Sequence, residues 1–270
     1  MSRLFDRRQF VRRAAALSGI TATGLSIPIR AGGDSGGDYG DLVGRLVYDG
    51  TPPERDRLKV DKDVDCCGKF DIRDETLMVG EDGGLANVFI YCRTRRVKTC
   101  PDLENDVSKQ VLLDNIECIF KPHCMKIWLS KQEFLIVNSD PVAQNVAFSP
   151  LGDLAANIVL PPPPDKAAKA TWTFNRPQNI PVRILCNYHP WEVAYILPVD
   201  HPYVAITAMD GTFRIPRLPV GEKLQFQVWQ ERCGYVATDE WNRGRFEIEI
   251  KPGINDLGVI KLPPRMFERK

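Results

Sequence analysis

The chain has 270 residues, of which 43% are apolar, with 21 prolines, 20 glycines and a formal charge of +1. That length admits one large or two ordinary domains, and short apolar runs broken by so many turn formers point to β-structure over helices. The first 31 residues hold six arginines and only Asp6; removing them leaves 30 basic against 34 acidic residues. No basic face is implied, which excludes a nucleic-acid binder that works by neutralising phosphates.

In chain order, Asp6-Arg7-Arg8-Gln9-Phe10-Val11 resembles a twin-arginine export signal. A small-to-apolar run over 14–29 follows, and Ala31 is the candidate cleavage position, so residues 1–31 are expected to be a signal peptide. The run contains Gly19, Gly24 and Pro28 and is short for a membrane span; no span is expected in the mature chain. Residues 32–40, rich in Gly, Asp and Ser, form a flexible linker. The expected location is periplasmic or extracellular. In that oxidising setting the eight cysteines, at positions 66, 67, 92, 100, 118, 124, 186 and 233, should be partly paired.

Strands are predicted at 42–48, 85–92, 111–113, 116–120, 127–129 and 134–137. Residues 161–164 are four consecutive prolines and must be extended. Further strands follow at 171–174 and 182–185, the latter running into Cys186. Beyond His201, residues 203–207 and 212–215 read as a hairpin about Asp210-Gly211, followed by strands at 224–229, 245–250 and 258–262. Cys92 and Cys100 flank a short basic loop and are expected to close it as a disulfide.

The chemistry-bearing residues fall in two loops. The strand 134–137 leads into Asn138-Ser139-Asp140-Pro141 and then Gln144-Asn145. The strand 182–185 leads into Cys186-Asn187-Tyr188-His189-Pro190-Trp191-Glu192. A blue-copper centre needs one thiolate, two imidazoles and a weak axial thioether, with three ligands on one short loop so that they converge on one ion. This layout resembles that of a cupredoxin, with Cys186 and His189 at ligand positions and Gln144 and Glu192 where the second imidazole and the thioether would stand.

More specifically, residues 44–229 resemble the exported cupredoxin-like proteins of the methylamine-utilisation type. The shared motifs are Gly83-Gly84-Leu85-Ala86-Asn87-Val88, Cys118-Ile119-Phe120-Lys121-Pro122-His123, the two loops above and His201-Pro202-Tyr203. The resemblance implies an all-β, Greek-key sandwich over 41–202, a role in electron transfer with a redox partner protein, and copper where the ligand set is intact. It also suggests Cys118 paired with Cys66 or Cys67. Residues 203–265 resemble a smaller carboxypeptidase regulatory-like β-sandwich, with which 42–60 would pair.

Where that family reads His-Asn, this chain has Gln144-Asn145; for His-Pro-Trp-Met it has His189-Pro190-Trp191-Glu192, and for Trp-His-Glu it has Trp229-Gln230-Glu231. An amide oxygen is a poor equatorial substitute for imidazole, and the hard oxygen of Glu192 beside a soft thiolate favours zinc or no metal over redox copper. Cys186 is thus a metal thiolate, half of a disulfide or a buried thiol, and His189 a ligand or a loop cap. His123 and His201 are expected to be structural, and Trp191, Trp229 and Trp241 to be packing residues. The chain lacks a nucleophile elbow, a paired carboxylate motif and a phosphate loop, so no enzyme is expected. Two functions stay open: an exported cupredoxin-fold protein with a degenerate or remodelled copper site, or a metal-free, extracytoplasmic module that binds a protein or glycan.

Overall fold

The computed structural model describes residues 37–163 and 167–268. The export signal expected over 1–31, most of the linker and Pro164 lie outside the described residues. In chain order the elements are β1 (Tyr39–Tyr48), α1 (Val64–Cys67), β2 (Phe89–Cys92), α2 (Asp102–Asp106), β3 (Gln110–Ile116), β4 (Ile119–Lys121), β5 (Cys124–Trp128), β6 (Glu133–Asn138) and β7 (Gln144–Phe148). These are followed by β8 (Ala156–Leu160), β9 (Ala168–Trp172), β10 (Val182–Leu185), β11 (Val193–Val199), β12 (Val204–Ile206), β13 (Thr212–Pro219), β14 (Lys223–Gln230), β15 (Gly234–Tyr235), β16 (Arg245–Glu249) and β17 (Gly253–Leu262). The fold is all-β, as the short apolar runs require.

One sandwich is made of the sheets β4-β3-β6-β9 and β5-β11-β10-β7-β8. The pairs β3–β6 and β5–β11 are parallel, and the other pairs of the two sheets are antiparallel. Alternate residues of β6 and β7, Phe134 and Ile136, Val146 and Phe148, point inward with Leu113, Ile184 and Ile196, the period-2 pattern of a half-buried strand. This is the cupredoxin-like sandwich expected from the two loops. A second core forms between the sheet β13-β1-β17 and the sheet β12-β2-β14-β15, with β16 on β14. Leu42, Leu46, Ile90, Phe213, Ile215 and Phe226 fill it. β1 therefore joins the C-terminal strands, antiparallel to β13 and parallel to β17. β2, within the 41–202 stretch, also pairs here, with β12 and β14.

Several local expectations are corrected. The run 116–120 is a hairpin and not a strand: Glu117 and Cys118 both sit at positive φ, 59° and 56°, as a tight two-residue turn demands. The Asp140 carboxylate holds the turn by accepting from the Cys118 N–H at 3.0 Å. The strand expected from Leu85 starts only at Phe89, because Asn87 turns the chain at φ 60°. The segments 203–207 and 212–215 do not pair as a hairpin. The turn at Asp210-Gly211 closes only the Ala208–Thr212 pair; beyond it β12 enters one sheet and β13 the other.

The Cys92–Cys100 disulfide is also absent, and both residues are buried free thiols. Tyr203 keeps them apart. Its backbone carbonyl accepts from the Cys92 N–H at 3.0 Å, while its phenol oxygen accepts from the Cys100 N–H at 3.0 Å, so the two backbones are held at opposite ends of one tyrosine. The disulfide present joins Cys67 to Cys118. It ties α1 to the β3–β4 turn, and around it Ile72, Val60, Phe70 and Trp191 make a small apolar cluster. Among the described residues no helix is long and apolar enough to cross a membrane.

Candidate functional site

Gln144 opens β7, and Cys186 directly follows β10. These strands are antiparallel neighbours, with Ile184 opposite Phe148 and Leu185 opposite Ala147. Continued past the strand end, that register lays the loop beginning at Cys186 back over Gln144. Asn145 fixes the loop: its Oδ1 accepts the N–H groups of Asn187 at 2.7 Å and Tyr188 at 3.3 Å, and its Nδ2 donates to Asn157 Oδ1 at 2.6 Å. Within the loop the Glu192 N–H donates to the His189 carbonyl at 2.9 Å, which turns Glu192 back toward His189. All four sequence-predicted residues, Gln144, Cys186, His189 and Glu192, therefore meet in one place, and none is more than 2% exposed.

Their contacts define a closed network. The Gln144 Nε2 group donates to Asp140 Oδ2 and to Glu192 Oε1, each at 3.1 Å. Two carboxylates on that side leave Gln144 Oε1 turned toward His189 and Cys186. His189 Nδ1–H donates to Gln144 Oε1 at 2.7 Å and lies 3.3 Å from Glu192 Oε1. On the other side of the ring, His189 Nε2–H donates to Asp63 Oδ2 at 2.9 Å. The Cys186 thiol donates to Gln144 Oε1 at 3.3 Å, lies 3.6 Å from His189 Nδ1 and accepts the His189 backbone N–H at 3.4 Å.

Both ring nitrogens face acceptors, so His189 is an imidazolium. Burial presses its pKa down, but its bonds to Cys186, Glu192 and Asp63 outweigh that and push it up to about 10. Burial raises Glu192 above the usual carboxylate range, against the pull of His189. Burial raises Asp140 as well, opposed by the N–H of Cys118 and by Gln144. The site is thus a buried ion pair, its members bridged by one amide and covered by the Asp63 carboxylate from the N-terminal edge of α1.

This arrangement can be tested against copper on its own distances. Imidazole nitrogen and oxygen ligands bind a tetrahedral ion at roughly 2.0–2.1 Å, which sets two such donors about 3.4 Å apart. His189 Nδ1 and Gln144 Oε1 are 2.7 Å apart with a proton between them, so they cannot share an ion in this arrangement. Cys186, His189 and Glu192 do cluster as a partial ligand group. That group holds one imidazole, which is protonated, and a carboxylate at the position of the thioether. The donor set does not fit a type 1 copper ion.

Asp63 and Asp140 are the functional residues sequence reasoning missed. Asp140 stands in the Asn138-Ser139-Asp140-Pro141 motif and was visible there without a role. Asp63 is 126 residues from His189, and nothing in its local sequence announces the contact. Of the residues expected to be structural, His201 and Trp229 are buried in the cores, as is Trp241. Trp191 donates its ring N–H to the Cys118 carbonyl at 2.9 Å and packs against His189. Cys66 remains a thiol beside the Cys67–Cys118 bridge. His123 is not isolated, since its ring lies between Glu75 and Glu231.

No known family profile and no curated protein sequence matches the chain. Solved structures similar to part of it are cupredoxins. A methionine-to-alanine mutant of amicyanin in the Cu(I) state matches at 13% identity with a TM-score of 0.28, over 41% of this chain and 98% of that one. A purple cupredoxin from Nitrosopumilus maritimus matches at 16% identity and 0.26, over 34% and 100%. A copper-containing nitrite reductase from Thermus scotoductus SA-01 matches at 16% and 0.28, over 33% of this chain but only 22% of its own length.

Proposed function

We propose that the chain is an exported cupredoxin-fold protein of electron-transfer ancestry whose metal corner has become a buried hydrogen-bonded lock, and that it acts outside the cytoplasm through its surfaces and not through a blue-copper ion. The observation that carries this reading is His189. Both of its ring nitrogens are spent, on Gln144 Oε1 at 2.7 Å and on Asp63 Oδ2 at 2.9 Å. A ligand imidazole must keep one nitrogen lone pair for the metal. Export is supported by the Arg7-Arg8 motif and fits the Cys67–Cys118 disulfide, a bond at home in oxidising compartments. The partner, on this proposal, is a protein or glycan that reads the surface; no catalytic role is assigned.

The test is copper titration with absorption spectroscopy on protein purified from its native compartment. The wild type should develop no intense thiolate-to-copper band. The double change Gln144→His and Glu192→Met restores the second imidazole and the thioether at positions that the fold already holds beside Cys186. That variant should bind copper and colour, each single change should do less, and adding Cys186→Ser should abolish the band. Blue colour in the wild type would refute the proposal.

A further inference from the structure

Three sulfurs meet where α1 packs on the β3–β4 turn. Cys67 and Cys118 form the bridge, and Cys66 stands beside it as a free thiol. The Sγ atoms of all three lie within 4.8 Å of one another. Their surroundings differ. Cys67 and Cys118 are 0% exposed, whereas Cys66 is half-buried and lines an open surface pocket of about 210 Å³ with Asp63, Val64, Asp65 and Val142. A reagent arriving from solvent therefore meets Cys66 and not the bridge.

Of the two bridge sulfurs, Cys118 is the usable target for Cys66. Attack on Cys67 would join neighbouring residues, whose Cα atoms are about 3.8 Å apart across a trans peptide, below the range of about 4.4–6.8 Å that disulfides span. Attack on Cys118 has no such restriction and exchanges one residue of α1 for the next. The build of α1 allows it to turn that far. It is one turn of four residues whose buried member is Cys67, and the N–H groups of Cys66, Cys67 and Gly68 bond within the segment, to the carbonyls of Asp63 and Val64. A segment with so little buried side-chain surface opens locally at small cost. At rest Cys66 is a thiol: burial and then Asp140, joined by Asp63, raise its pKa against Lys69 and His189.

We propose that Cys66, Cys67 and Cys118 form a thiol–disulfide exchange site, in which Cys66 is the entry thiol and external dithiols are the substrate class. Cys66 gives its proton to solvent, and its thiolate attacks Cys118 Sγ. The Cys66–Cys118 bond forms as the Cys67–Cys118 bond breaks, and Cys67 leaves with the electron pair and takes up a proton. This step has no net oxidation. It moves one end of the bridge to the sulfur that faces the pocket. There a thiolate of the dithiol attacks Cys66 Sγ and Cys118 leaves; the second thiol of the same molecule then displaces Cys66. The dithiol ends as a disulfide, two electrons and two protons poorer, and the protein's bridge is reduced by the same amount. The site goes beyond the reading of the Cys186 corner and does not rest on it.

The experiment is reduction of the folded, oxidised full chain by dithiothreitol without denaturant, quenched by alkylation and read by peptide mass. Cys66→Ser and Cys66→Ala, at a half-buried side chain, should match the wild type in circular dichroism and urea midpoint yet lose the bridge about tenfold more slowly or slower still, because the buried sulfurs then wait for a larger opening. Cys67→Ser tests the geometry directly. After oxidation in a glutathione buffer it should hold a Cys66–Cys118 bridge, and because that loop is one residue longer than the present one, its urea midpoint should stay near that of the wild type. Equal reduction rates in the wild type and both Cys66 variants overturn the proposal. So does a folded Cys67→Ser protein in which Cys66 and Cys118 stay free thiols.

Discussion

The buried pair of His189 and Glu192 can be measured as a coupling. Both side chains are 0% exposed, so each charge relies on protein partners. Removing one member of a buried ion pair typically costs about 3–5 kcal/mol, whereas replacing both by apolar groups of similar volume is often close to neutral. Glu192→Met strands the imidazolium, but Asp63 remains on the opposite nitrogen. Because that carboxylate is 48% exposed and screened by water, the expected loss lies near the lower end, at about 3 kcal/mol. His189→Leu leaves Glu192 with only the Gln144 amide on Oε1, and Oε2 has no partner to begin with; its loss should again be about 3 kcal/mol.

In the double variant no buried charge is stranded at these two positions. Gln144 keeps Asp140 on its nitrogen and the Cys186 thiol on its oxygen, and Asp63 returns to solvent. The double loss should therefore fall at least about 2 kcal/mol short of the sum of the singles, within the range seen for residues in contact. Urea unfolding followed by tryptophan fluorescence gives all four free energies. In a chain of this size each single change should lower Tm by about 6–12 °C. Additivity to within about 0.5 kcal/mol, or a Glu192→Met loss below about 1 kcal/mol, would show that the network is not an ion pair.

Two further outcomes follow from the described contacts. The Cys67–Cys118 bridge spans a sequence separation of 51, so replacing both cysteines by serine should cost about 4 kcal/mol through the entropy of the unfolded chain; unchanged urea midpoints in the variant and in reduced wild type would contradict this. His201 is buried and neutral, donating Nε2–H to the Cys92 carbonyl at 3.2 Å and accepting the Tyr203 N–H on Nδ1 at 3.2 Å. Burial lowers its pKa, so the unfolded chain takes up the proton first. Stability that is complete above about pH 6.5 should fall as the pH drops toward the depressed folded value, by about 1.4 kcal/mol per pH unit from this group. His201→Gln should remove that component of the acid slope, and identical slopes in the two proteins would rule it out.

What the sequence determined by itself is local. Alternation over Phe134–Ile136 and Phe226–Val228 marks strands because every second side chain of a pleated strand faces the core. The spacing from Cys186 to His189 to Glu192 marks a loop able to gather three side chains, and the preceding strand aims it. The replacement of imidazole and thioether by Gln144 and Glu192 was legible as chemistry without any coordinates. Tertiary structure decided the rest, because the deciding partners come from distant chain segments. Asp63 reaches His189 across 126 residues and joins Cys186 and Glu192 in holding it protonated, and Tyr203 keeps Cys92 from Cys100. β1 finds β17 more than 200 residues later. Extending a loop adds only a slowly growing closure cost, about 0.6 kcal/mol per doubling, so the buried surface and the hydrogen bonds gained at the meeting point select the partner. A protonation state or a thiol left free is a property of what surrounds a side chain, and those surroundings exist only once the chain has folded.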